Sequence, residues 1–191
     1  MFAAATPAQA NFLAGKAHYD SGRLDEAAES FRRVIAADAA FPMVHLELGK
    51  TYISLRRNEE AEQELRLSLA ADGGPGETHY FLGGLLAQQK RDSEAIPHLE
   101  TALRLMPDAW GASYYLGRIR LAEGNFPESR RLLEMAAKLR PTEAAVWYQL
   151  AQVYRRAGLA AKSQDALSRM KQLQAGKLAQ EIDIVSGLRN P

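Results

Sequence analysis

Gly15, Gly49, Gly83 and Gly117 stand 34 residues apart, and Ala151 continues the series. Glycine supplies 14 of 191 residues, so the chance that three further glycines keep the schedule of the first is under about 0.1 %. Other columns hold the same register. Seven residues on come Gly22, Arg56, Lys90, Gly124 and Gly158. Five later stands a small residue, in turn Ala27, Ala61, Ala95, Ser129 and Ser163, and four beyond that a large apolar one, Phe31, Leu65, Leu99, Leu133 and Leu167. Just ahead of the glycine column, Ala14 is followed by Leu48, Leu82, Leu116 and Leu150. An irregular helical bundle has no need of register to the residue, so the chain is a tandem array.

Counted from Ala8, the units are residues 8–41, 42–75, 76–109, 110–143 and 144–177, with a lead-in over 1–7 and a tail over 178–191. In the third unit His79, Leu82, Gly83 and Leu86 make the i, i+3, i+4, i+7 stripe of one helix, and Ala95, Leu99, Ala102 and Leu103 carry a second. A glycine facing a small residue lets two helix backbones approach closely, while the Leu and Phe columns fill the space alongside. Two short helices cannot bury their apolar faces alone, so each unit leans on the next. Strand patterns are absent from the sequence.

These columns closely resemble the tetratricopeptide repeat, with its 34-residue period and W-x₂-L-G-x₂-Y…A-x₃-F…P pattern. The L-G pair is Leu48-Gly49, Leu82-Gly83 and Leu116-Gly117, and the late proline is Pro107 and Pro141. The aromatic opening position is Trp147 in the last unit; Asn11, His45, His79 and Ser113 occupy it elsewhere. The first two units have Ala39 and Gly73 where the proline is due, with Pro42 and Pro75 arriving late. The resemblance implies an all-α fold, a right-handed α-solenoid of antiparallel helix pairs. The tail, where Leu178, Ile182 and Val185 recur at helical spacing, is expected to add a C-terminal capping helix or a helix that docks another protein. Gly73-Gly74-Pro75-Gly76 reads as a turn between units, with a hinge as the alternative.

The chemistry of the chain is sparse. It contains no phosphate-binding glycine loop, zinc-protease motif, nucleophile elbow or acidic calcium loop, so neither catalysis nor a cofactor is expected. His45 and His79 share a repeat position with Trp147, which assigns them to packing rather than to metal binding. Asp25-Glu26 and Glu59-Glu60 fall where second helices begin and suit the helix dipole. Cysteine is absent and the net charge is +1, which argues against bulk binding of nucleic acid or a membrane surface. Residues 1–11 lack the basic start and apolar run of a signal peptide, and no apolar run is long enough for a membrane span, which favours a cytoplasmic chain.

What remains is surface. In the tetratricopeptide family the first helices of the units line a concave groove, and ligand contacts come mainly from the second, fifth, ninth, twelfth and thirteenth positions. The resemblance therefore implies a groove lined at the fifth positions by Phe12, Leu46, Tyr80, Tyr114 and Tyr148. The ninth positions add Lys16, Lys50, Gly84, Arg118 and Gln152; Tyr19, Ile53, Arg155 and Arg156 come from the twelfth and thirteenth. The aromatics are a ladder of the type enriched at binding hot spots, or else packing between neighbouring helices. Asp20 and Glu77 are the acids among these positions, so positive charge gathers in the expected groove, and Gly84 leaves a notch beside it.

The family's carboxylate clamp for chaperone C-termini is built from lysine and asparagine in the first unit, asparagine in the second, and lysine and arginine in the third. Phe12, Lys16, Glu47, Glu77 and Phe81 stand at the matching places and do not reproduce it. The expected function is a non-catalytic protein-protein interaction scaffold that binds a partner peptide or helix of acidic and apolar character. The alternative is a regulatory or self-assembling module of a larger enzyme, sensor or multiprotein machine. Recognition of single-stranded RNA is a third class that the near-zero net charge disfavours.

Overall fold

The computed structural model describes residues 5–72 and 74–187, and every regular element among them is helical. The helices are α1 (Pro7–Asp20), α2 (Leu24–Ala37), α3 (Val44–Ser54), α4 (Asn58–Asp72), α5 (Gly76–Gln88), α6 (Asp92–Leu105), α7 (Trp110–Ala122), α8 (Phe126–Leu139), α9 (Ala144–Arg156) and α10 (Ala160–Gly187). Odd-numbered helices are the first, or A, helix of each unit and even-numbered helices the second, or B. Packing divides the chain into two compact blocks, one ending at Met106 with α1 to α6, the other starting at Pro107 with α7 to α10. In the first block α2 packs on α3 and α4 on α5; in the second α8 packs on α9.

The glycine columns have two distinct causes. A Cβ on Gly15 would lie 2.6 Å from the Phe31 ring, and on Gly49, Gly83 and Gly117 it would lie 2.9, 2.8 and 2.8 Å from Leu65, Leu99 and Leu133. Those contacts are closer than side chains allow, so the A and B helices of a unit touch backbone to side chain. The small column tightens the same seam: Ser129 Oγ donates to the Gly117 carbonyl at 2.7 Å and Ser163 Oγ to the Ala151 carbonyl at 2.9 Å. Between units, Ser68 and Thr78 share a buried hydroxyl hydrogen bond of 3.0 Å across α4 and α5.

The second column ends the A helices. Gly22, Arg56, Lys90, Gly124 and Gly158 all take positive φ, between 59° and 78°. The amides that follow them, of Arg23, Arg57, Arg91, Asn125 and Leu159, each donate back to the carbonyl five residues earlier, at 2.8 to 3.0 Å. This is the Schellman arrangement, which satisfies the last carbonyls of a helix and turns the chain into the next one. The first two B helices then start on acids, Asp25 and Glu26 in α2, Glu59 and Glu60 in α4.

Gly74 has a φ of +71° in the turn between α4 and α5, inside the first block. Residues 178–187 of the tail are helical, as the uninterrupted continuation of the last B helix rather than a separate element, and residues 188–191 lie outside the described residues. Residues 174–180 are exposed throughout, with Leu178 58 % exposed. Ile182 and Val185 lie in α10, and their side chains are outside the described part of the structure.

Candidate binding face of the A helices

The predicted groove residues fall into three groups. Leu46 is fully buried and Gly84 is buried, so they belong to the core and floor; a leucine at 0 % exposure offers a partner nothing. Phe12 is half-buried, its ring centroid 5.7 Å from that of Phe31 and 5.0 Å from that of Phe41, which fixes it as part of an aromatic cluster at the first inter-unit loop. Tyr19, Ile53, Tyr80 and Tyr114 are also half-buried. The Tyr19 and Ser54 hydroxyls lie 3.1 Å apart, joining two A helices. Tyr148, 45 % exposed, is the ring of the ladder that stands openly in solvent.

The lysines of the first block do not stand free. Glu47 projects from α3 one position after Leu46, and its carboxylate lies 3.4 Å from Lys16 Nζ and 3.1 Å from Lys50 Nζ. Its side chain is only 6 % exposed and that of Lys50 only 15 %. The Lys50 ammonium also stands 5.6 Å from the centroid of the Phe81 ring, which lies 4.9 Å from that of Tyr80 at a tilt of 51°. The expectation of a positive line through Lys16 and Lys50 counted charges at the groove positions and passed over this acid, which points between the two lysines from an adjacent position. Its signal was the i, i+3 spacing of Glu47 and Lys50 on one helix.

The second block differs. Arg118 on α7 lies 5.8 Å from the ring centroids of both Tyr114 and Tyr115, and no carboxylate among the described residues pairs with it. Tyr114 sits 5.3 Å from Tyr115 and 6.5 Å from Trp110. On α9, Gln152 accepts a hydrogen bond of 2.5 Å from Arg155, and Arg155 and Arg156 are exposed. Cationic and aromatic surface thus coexist here without the internal acid found in the first block.

The histidines are explained by partners that a single column does not reveal. His45 Nδ1 lies 2.7 Å from Glu64 Oε2, and His79 Nδ1 lies 3.0 Å from His98 Nδ1. Both pairs join the A and B helices of one unit at identical repeat positions. Burial, and then the neighbouring His79 and Arg66, push the His98 imidazole below its ordinary value, against a smaller opposing effect of Glu94. Elsewhere on α9 the Tyr154 hydroxyl donates to Glu134 at 3.0 Å, and burial pushes it up to about 12. Among the described residues no group of three or more His, Cys, Asp or Glu is placed to hold a metal ion, and no helix is long and apolar enough to cross a membrane.

Helix pairs in strict register define a helical-repeat protein. A tetratricopeptide repeat model matches residues 4–42, 12–77, 46–109 and 114–177, and a second matches 85–141. The chain belongs to the tetratricopeptide repeat family. No curated protein matches it. Its fold is that of a MamA protein in a crystal structure, with a TM-score of 0.72 at 21 % identity over 91 % of this chain and 94 % of that one. MamA from Desulfovibrio magneticus RS-1, from residue 41 to its end, gives 0.76 at 17 % identity over 91 % and 98 %. YrrB, described as a tetratricopeptide protein with an unusual peptide-binding site, gives 0.69 at 19 % identity over 86 % and 85 %.

Proposed function

We propose that this protein is a non-catalytic scaffold whose A-helix face binds a peptide or helix of a partner protein, with acidic residues of the partner held in the second block. The observation that carries the reading is Arg118, a cation set against two tyrosine rings with no carboxylate partner among the described residues. A guanidinium left unneutralised beside aromatic surface suits an acidic group flanked by apolar ones. Tyr148 and Arg156, exposed on α9, add the flat and charged area that binding hot spots favour. YrrB, with the same fold, is a precedent for peptide binding. The helices are held by packing and complete turns, so the face is formed before the partner arrives and ordering costs fall on the partner.

The test is recovery of partners with the intact chain, followed by charge reversal. Arg118→Glu with Arg156→Glu is expected to lower partner affinity at least tenfold with little change in thermal midpoint, since Arg156 is exposed and the half-buried Arg118 has no carboxylate partner among the described residues to lose. The same reversal at Arg32 and Arg131, on B helices and 48 % and 61 % exposed, is expected to leave binding intact. Loss of binding from the B-helix pair alone contradicts the proposal.

A further inference from the structure

We infer that Glu47 determines what the A-helix face of the first block accepts: its carboxylate occupies the anion seat between Lys16 and Lys50, so this face takes an uncharged, apolar segment of a partner. The inference rests on the binding-face reading above and assigns its two blocks different chemistry.

Two ammonium groups lie 3.4 and 3.1 Å from one nearly buried carboxylate. That is the arrangement a ligand carboxylate would have to make for itself. An acidic group arriving here meets lysines already engaged and a like charge between them; the Lys16 side chain is 44 % exposed, and the repulsion is least screened on the Lys50 side, where water is scarce. Displacing Lys50 to meet the newcomer strips a partner from a carboxylate that is only 6 % exposed, which is costly. Lys50 is further held over the Phe81 ring at 5.6 Å, and the Tyr19 hydroxyl is occupied by Ser54. The surface left to a partner is the half-buried apolar area of Ile53, Tyr80 and Phe81. An acidic residue finds in the second block a cation, Arg118, with no carboxylate partner among the described residues.

The experiment uses the full chain and two fluorescein-labelled, C-terminally amidated 12-residue peptides, one alternating leucine with glutamate and one alternating leucine with glutamine, read by fluorescence anisotropy. The acidic peptide is expected to lose at least tenfold in affinity in Arg118→Glu and less than twofold in Lys50→Met. Glu47→Gln, which removes the negative charge from the seat while keeping its shape, is expected to raise the affinity for the acidic peptide at least fivefold while leaving the glutamine peptide unchanged, and adding Lys50→Met is expected to remove that gain. Should Glu47→Gln fail to fold, the comparison of Lys50→Met with Arg118→Glu stands by itself. An equal loss in those two variants overturns the inference, as does a folded Glu47→Gln protein with unchanged affinity. If neither peptide binds any variant, the binding-face reading falls with it; if the acidic peptide binds through Lys50, only the present inference falls.

Discussion

Arg56 and Lys90 hold φ values of 59° and 65° in a turn column where the other three units place glycine. A Cβ meets nothing within 4 Å at Gly22, Gly124 or Gly158, so backbone conformation alone selects glycine there. An L-residue in the left-handed region is strained, and glycine is not. Arg56→Gly and Lys90→Gly are each expected to stabilise the protein by roughly 0.5–1 kcal/mol, measured by urea unfolding; a loss of stability would mean that these side chains make contacts outweighing the strain. At this scale the sequence announces backbone requirements well, because a glycine has few reasons to recur. It announces charge pairing poorly. Glu47 lies outside the second, fifth, ninth, twelfth and thirteenth positions, although it stands where the carboxylate clamp has an asparagine, and its direction between Lys16 and Lys50 depends on how neighbouring A helices stack, which spacing alone does not state.

The elements show where periodicity misleads. The 34-residue schedule places a unit boundary after Lys177, yet α10 runs unbroken from Ala160 to Gly187. In the third and fourth units Pro107 and Pro141 follow the B helix; the fifth has Ala175 at that position, so nothing stops the chain. Ala175→Pro is expected to lower the helical circular dichroism signal of the extension while leaving the thermal midpoint of the array nearly unchanged, because residues 174–180 are exposed. A drop in the midpoint of several degrees would show that the extension supports the core. The His79 and His98 pair adds a pH dependence to the α5 and α6 seam. His98 in the folded protein holds its proton less tightly than in the unfolded chain, so unfolded molecules take up the proton first as the pH falls. Stability is therefore expected to decline as the pH drops below the ordinary histidine value, and to stop declining on this account once the folded imidazole is itself protonated. Thermal melts between pH 7.5 and 5 are expected to show a shallower decline in His98→Asn than in the parent; equal slopes would remove His98 from the account. The sequence assigned His79 to packing through the position it shares with His45 and Trp147, whereas its pairing with His98 needed the structure.

Across the whole molecule, a net charge of +1 conceals an uneven distribution. Arginines at helix starts and on B helices are largely spent on acids three or four residues away, as in Arg33 with Glu29, Arg91 with Glu94 and Arg131 with Glu128. Arg91 also reaches Glu62 at 2.8 Å, tying α6 to α4. Arg118 has no such carboxylate partner among the described residues, and the proposal of an acidic partner rests on that difference. The family and helix pairing were legible because each unit repeats the same packing problem. Of the proposed face, the ring positions and Arg118 could be named from the repeat, whereas the burial of Leu46 and the pairing of Lys16 and Lys50 with Glu47 could not, because burial and pairing vary from unit to unit. The most direct test of the scaffold account is photocrosslinking with benzoylphenylalanine placed at Tyr148 on the A-helix face or at Arg131 on the B-helix side, both exposed. The account predicts a covalent adduct with the copurified partner from position 148 and none from 131; an adduct from 131 alone would contradict it.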